Sequence, residues 1–220
     1  MATSPTNQTA IVIGATGLVG SHVLDLLLQD GNYGKVKVFH RRATGVSHPK
    51  LEEHIIDFAQ IDKWKSELTG DHLFSALGTT IKKAGSKEAQ YTIDFTYQFD
   101  VAKAAAENGV PHYALISSIG ANASSKSFYT RIKGELDEAV QNLGFNSVLI
   151  IRPSFLDGDR NEFRLGERIG IGLANVLCKL PGLKKYHPIK AKNVAQAMIN
   201  GIKKETSQIV EGNEVLELAN

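Results

Sequence analysis

One cysteine, Cys178, is all that the 220 residues carry, so no disulfide can form within the chain. It follows the apolar stretch LANVL at 173–177, where a thiol serves as packing, and the low count fits a reducing compartment. Long apolar runs are also missing. None approaches the ~20 residues that a membrane-spanning helix needs. The first eight residues, MATSPTNQ, are polar and hold no apolar core of a secretory signal, so they read as a loose tail. Charge of one sign is scarce. The net charge is +2 and no run of Lys or Arg exceeds two, which argues against nucleic acid as a partner. Lys82-Lys83, Lys184-Lys185 and Lys203-Lys204 read as solvated surface. The seven histidines show no metal-ligand spacing, HExxH is absent, and His40, His48 and His54 fall in separate elements, so no metal centre is expected. These absences leave a cytoplasmic protein with no membrane and no nucleic acid as the expectation.

What is present is an alternation of strands and helices. Strands are expected near 9–13, 36–39, 54–57, 73–77, 113–117 and 147–151. Helices are expected near 18–30, 61–68, 86–108 and 126–143, the third stopped by Gly109 and Pro111 and the fourth capped by Gly144. Such alternation predicts an α/β fold, a doubly wound parallel sheet of Rossmann type covered on both faces. After Pro153 the rhythm loosens. A helix near 162–178, a short segment at 186–189, a helix near 192–203 and a last strand at 214–218 are expected. With no repeat, low-complexity segment or long linker, residues 1–220 read as one domain, and 153–190 as a small cap over the ligand crevice at the strands' carboxyl ends.

The most informative segment is GATGLVG, Gly14 to Gly20, between an apolar strand and an apolar helix. Strand, glycine turn and helix in this order make a dinucleotide site credible. Gly14 allows a tight turn, Gly17 a close approach of backbone to pyrophosphate, and Gly20 close packing of helix on strand. The amides that open the helix then face the phosphates. An NAD binder places a carboxylate about 20 residues further on, for the ribose 2′-hydroxyl. Here that region reads His40-Arg41-Arg42, with no carboxylate. Two guanidiniums suit a 2′-phosphate, so NADP is expected over NAD.

A second constellation lies further on. Tyr129 and Lys133 stand at i and i+4 and so share a helix face. An ammonium beside a phenol favours the phenolate, which makes Tyr129 a usable acid and base for a carbonyl–alcohol pair. Ser117 and Ser118, at the end of the preceding strand, offer a hydroxyl to the same substrate oxygen.

The order of these features resembles the short-chain dehydrogenase/reductase superfamily over nearly the whole chain. GATGLVG looks like its extended and atypical branches, and the chain is too short for the extended branch's large substrate domain. Ala76-Leu77-Gly78-Thr79-Thr80, Lys83-Ala84-Gly85, Ile116-Ser117-Ser118-Ile119-Gly120-Ala121, Lys133-Gly134-Glu135, Arg152-Pro153 and Val194-Ala195-Gln196-Ala197-Met198 are similar to the atypical Tat-interacting-protein-like group, which binds NADPH. The resemblance implies that Gly14, Thr16, Gly17, Leu18, Val19 and Gly20 lie along the pyrophosphate and that Arg41 and Arg42 meet the 2′-phosphate. It puts Asp57 and Phe58 beside the adenine, and Leu77, Gly78 and Thr79 under the adenosine ribose. Ser117 or Ser118, with Ser118 preferred, would join Tyr129 and Lys133 as the catalytic set, which also touches the cofactor. Arg152, Pro153, Ser154 and Phe155 would border the nicotinamide. The superfamily's catalytic Asn has no clear counterpart near Asp94. The function expected is an NADPH-dependent reductase of a small carbonyl compound. The alternative is an NADPH-binding regulator that uses its surface for a protein partner.

Overall fold

The computed structural model describes residues 7–157 and 188–220. Seven parallel strands form one sheet in the order β3-β2-β1-β4-β5-β6-β9, with β1 Gln8–Ile13, β2 Tyr33–His40, β3 Leu51–Ile55, β4 His72–Ser75, β5 His112–Ile116, β6 Ser147–Arg152 and β9 Gln208–Glu211. Strand order reverses at β1, flanked by β2 and β4. The carboxyl ends of these strands therefore part around a crevice.

The sheet is buried on both faces, as parallel sheets are. Along β1, Ala10 and Val12 point into one core, and Ile11 and Ile13 into the other. Helices α1 (Leu18–Gln29), α6 (Ala191–Ile202) and α7 (Glu214–Ala219) cover the first face. Helices α4 (Tyr97–Glu107) and α5 (Phe128–Val140) cover the second, with the 3₁₀ turns Phe58–Lys63 and Lys65–Glu67. A two-residue pair, β7 (Leu156–Asp157) with β8 (Ile189–Lys190), flanks the segment 158–187. Most of the expected cap, with Cys178 and the helix near 162–178, lies outside the described residues.

Three local expectations are corrected. Residues 214–218 form helix α7, not a strand; Gly212, at φ +60, turns the chain after β9, and Val215 and Leu218 bury one helical stripe. The helix at 61–68 is two 3₁₀ turns. The helix at 86–108 comprises α3 (Lys87–Tyr91), one π turn at Thr92–Thr96 and α4, preceded by the short α2 (Ile81–Ala84).

Candidate functional site

The glycine turn is built by what its residues lack. Gly14 sits at φ +81, and a Cβ there would come 2.4 Å from the Ala76 carbonyl carbon at the end of β4. A Cβ on Gly20 would stand 2.0 Å from the Gly14 carbonyl oxygen, so α1 crosses its own entry turn at van der Waals contact. The Gly17 amide closes the turn on Gly14 O at 2.9 Å. Helix α1 then opens at Gly17 with no side-chain cap and no acidic residue in its first turn, which leaves its amides available to an anion. Thr16 is exposed on the turn, and Leu18 packs partly on the core. Val19 is buried in that core, which leaves only its amide for a phosphate.

A cleft of about 390 Å³ opens beside this turn. It brings together Gly14, Thr16, Arg41, Arg42, Phe58 and Leu77, all expected in the site, and adds Phe39, His40 and Ala43. A glycine cradle, uncapped helix amides and two exposed guanidiniums fit a phosphorylated dinucleotide. Phe58 is held by Trp64 edge-on at 5.9 Å and Tyr97 stacked at 5.5 Å. Asp57 accepts from the Ala59 amide and the Gln60 side chain, both at 3.0 Å, and so caps the turn that carries Phe58.

Leu77, Gly78 and Thr79 follow β4. Their anchor is Asp94, the residue near which the superfamily's catalytic Asn has no clear counterpart. Asp94 is fully buried. Its Oδ1 accepts the Thr79 amide at 2.7 Å and its Oδ2 accepts Gln90 Nε2 at 3.0 Å. The Asp94 carbonyl accepts Gln98 Nε2 at 2.8 Å, and Gln98 in turn accepts the Ser75 hydroxyl at 2.8 Å. Asp94 fastens the loop under the cleft from the π turn, a feature common where a helix serves a site.

The second constellation falls on α5. Tyr129 is 42% exposed, while Lys133, one turn on, is only 4% exposed and its ammonium makes no hydrogen bond or ion pair among the described residues. One further turn brings Asp137, 1% exposed, which sequence reasoning missed. Its Oδ2 accepts the Ser117 hydroxyl and Arg152 Nε, each at 2.9 Å. Burial pushes the Asp137 carboxyl up from its ordinary value, against Ser117, Arg152 and the Lys133 charge. Arg152 Nη1 also lies 3.6 Å from Glu211. The network joins the ends of β5 and β6 to α5. It commits the Ser117 hydroxyl and the Arg152 guanidinium to structure, whereas the Ser118 hydroxyl has, among the described residues, only a long 3.4 Å bond to the Ile119 carbonyl. Pro153 is buried and its carbonyl accepts the Ile119 amide at 3.0 Å; Ser154 is buried, and Phe155 is 42% exposed. The i+8 spacing of Tyr129, Lys133 and Asp137 was the available signal for the missed carboxylate.

Fold, glycine turn and cleft define a dinucleotide-binding protein with the architecture of the short-chain dehydrogenase/reductase superfamily. The chain belongs to the NAD(P)H-binding family, whose model matches residues 14–205. Its relatives include the protein "fmp52, mitochondrial" of Aspergillus niger, 35% identical over 92% of this chain and 91% of that one, and "FMP52, mitochondrial" of Candida albicans, 36% identical over 97% and 99%. Among solved structures, a short-chain dehydrogenase/reductase superfamily protein of Agrobacterium tumefaciens with bound NAD shares the fold at TM-score 0.70 and 15% identity, over 92% of this chain and 77% of that one. The Helicobacter pylori ADP-L-glycero-D-manno-heptose-6-epimerase does so at 0.69 and 17%, over 100% and 83%. The expectation of a cytoplasmic protein is overturned by these relatives, which carry mitochondrial names. The lack of an apolar secretory core does not bear on mitochondrial targeting, whose signals are amphipathic and basic.

Proposed function

We propose that this chain is a mitochondrial NADPH-dependent reductase of a small carbonyl compound. The observation that carries the reading is the pair Arg41 and Arg42 lining the same cleft as the glycine turn, with no carboxylate lining it among the described residues. Paired guanidiniums favour a 2′-phosphate, where an acidic residue would favour a free hydroxyl. NADPH, when bound, supplies the hydride. The chain's own residues supply the proton and the alignment. Tyr129, exposed on α5, gives its proton to the substrate oxygen. Lys133, buried one turn further along the same helix, brings an ammonium to the proton-donating end of the site. Ser118 orients the oxygen by hydrogen bonding, since the Ser117 hydroxyl is taken by Asp137. The mitochondrial placement is drawn from the relatives' names.

Calorimetric titration tests the cofactor. NADPH should bind more tightly than NADH, and Arg41→Ala with Arg42→Ala should lose most of the difference, at about 1.5–3 kcal/mol per charge-assisted contact. Equal affinities in the unaltered chain would overturn the preference. A screen of aldehydes and ketones, followed by NADPH absorbance, tests the chemistry. Tyr129→Phe should abolish turnover and leave NADPH affinity within about twofold. Normal turnover by that variant would remove Tyr129 from its role.

A further inference from the structure

His40 ends β2 and lines the cleft between Phe39 and Arg41. It is 4% exposed, and neither ring nitrogen has a hydrogen-bond partner among the described residues. Unpaired buried polar atoms cost about 1–3 kcal/mol each and are rare enough to ask for a reason. The charged groups around the ring are few. From β3, Glu53 Oε1 lies 3.3 Å from His40 Nε2 and already accepts the Thr44 amide at 2.8 Å and hydroxyl at 2.6 Å. His54, also on β3, is bonded to Glu52 at 2.8 Å and stacks on Phe39 at 4.4 Å. The loop after β2 brings Arg41 and Arg42. The glycine turn and the first turn of α1 bring no charged group.

We propose that His40 is the third cation of the 2′-phosphate site, taking up a proton when a 2′-phosphorylated adenosine ribose enters the cleft. The inference rests on the NADP reading above. Charge matching supports it. Arg41 and Arg42 against Glu53 leave one net positive charge. A phosphate monoester carries about −1.5 to −2 at neutral pH. One proton on His40 raises the local charge to match. The same proton turns the approach to Glu53 into an ion pair and makes donors of both orphaned nitrogens. Before the anion arrives, burial holds the imidazole below its ordinary value, with Glu53 pulling the other way, so the proton is there to be gained. A bare 2′-hydroxyl brings no charge and draws no proton. His40 thereby makes the choice between the two ribose forms depend on pH, with phosphate favoured more strongly as pH falls.

The probes are adenosine 2′,5′-bisphosphate and 5′-AMP, titrated into the full chain by calorimetry at pH 7.5 in two buffers of different ionisation enthalpy. The bisphosphate should take up a large fraction of one proton and 5′-AMP none. Between pH 8 and 6.5 bisphosphate affinity should rise about tenfold while 5′-AMP affinity stays level. His40→Asn and His40→Gln should abolish the extra proton. Equal proton uptake by the two ligands, or uptake that survives both substitutions, overturns the role of His40 and leaves the cofactor reading intact. A bisphosphate that binds no more tightly than 5′-AMP at any pH overturns the NADP reading itself. The two-buffer measurement on the unaltered chain decides the matter even where a variant misfolds.

Discussion

The two halves of the sheet make their sites in opposite ways. Around β1, α1 and β2 the site is made by missing side chains. Gly14 and Gly20 let backbone touch backbone, and α1 offers uncapped amides. Around β5, α5 and β6 it is made by side chains that hold one another. Ser117, Asp137 and Arg152 tie three elements together beneath Lys133. The glycine turn of the first half offers shape and fixed dipoles, and tolerates no added atom. The second works by placed charges, and tolerates atoms more readily than the loss of a charge.

The sharpest way to break this comparison is to add one methyl group to the first half. Gly20→Ala places a Cβ 2.0 Å from the Gly14 carbonyl, and backbone on both sides prevents relief. A loss of about 4 kcal/mol or more is expected, or about 8–16 °C in melting temperature for a domain of this size. Gly31→Ala, two residues beyond α1 and with nothing within 4 Å of the new Cβ, should change stability by less than about 1 kcal/mol. A Gly20→Ala protein that melts like the Gly31→Ala control would show that the turn relaxes and is not built on contact.

This contrast also sets what was legible in the sequence. Gly14, Gly17 and Gly20 follow one another at fixed spacing between a strand and a helix, so their turn could be read locally, and Arg41 and Arg42 could be placed from it. The parallel sheet was legible from apolar runs such as Ile11-Val12-Ile13 and Val148-Leu149-Ile150. Asp137 was not, because its partners Ser117 and Arg152 are 20 and 15 residues away and meet it only in three dimensions. Nothing in the sequence around Asp94 marks it as a clamp, because Thr79 is 15 residues away and meets it only in the fold. Glu214 to Leu218 reads polar, apolar, apolar, polar, apolar, a run too short to separate period 2 from period 3.6. The turn at Gly212 and packing of Val215 and Leu218 on the α6 side decided for helix.

Removing a charge from the second half is the next test. Asp137→Ala leaves the Arg152 guanidinium, among the described residues, with Glu211 alone at 3.6 Å, and leaves the buried Ser117 hydroxyl without its acceptor. Breaking a buried pair costs about 3–5 kcal/mol, and the remaining Glu211 contact argues for the lower end. Asp137→Asn keeps an acceptor for one donor and should lose less, about 1–2 kcal/mol. Urea unfolding of the three proteins gives the ranking. Equal midpoints would mean that the network is ornamental and that the second half, too, is held by shape.

The smallest effect is expected at the seam between the halves, at the amino ends of the central strands. His72 opens β4. Its Nδ1 is hydrogen-bonded to the Tyr33 hydroxyl of β2 at 2.7 Å, and its ring lies 5.3 Å from His112 of β5. Burial, helped by the His112 charge and that of Lys203 and opposed by Asp71, lowers His72 from the ordinary 6.5 to about 4. The folded chain therefore keeps His72 neutral where the unfolded chain would protonate it. Its contribution is fully present above pH 6.5 and is lost as pH falls toward 4, at about 1.4 kcal/mol per unit. At pH 5 the loss is about 2 kcal/mol, or about 4–8 °C in melting temperature relative to pH 7.5. His72→Gln keeps a partner for Tyr33 and removes the titration. Its melting temperature should fall less between pH 7.5 and pH 5 than that of the unaltered chain, by that same amount. Parallel pH profiles for the two proteins would show that the seam is silent to protons.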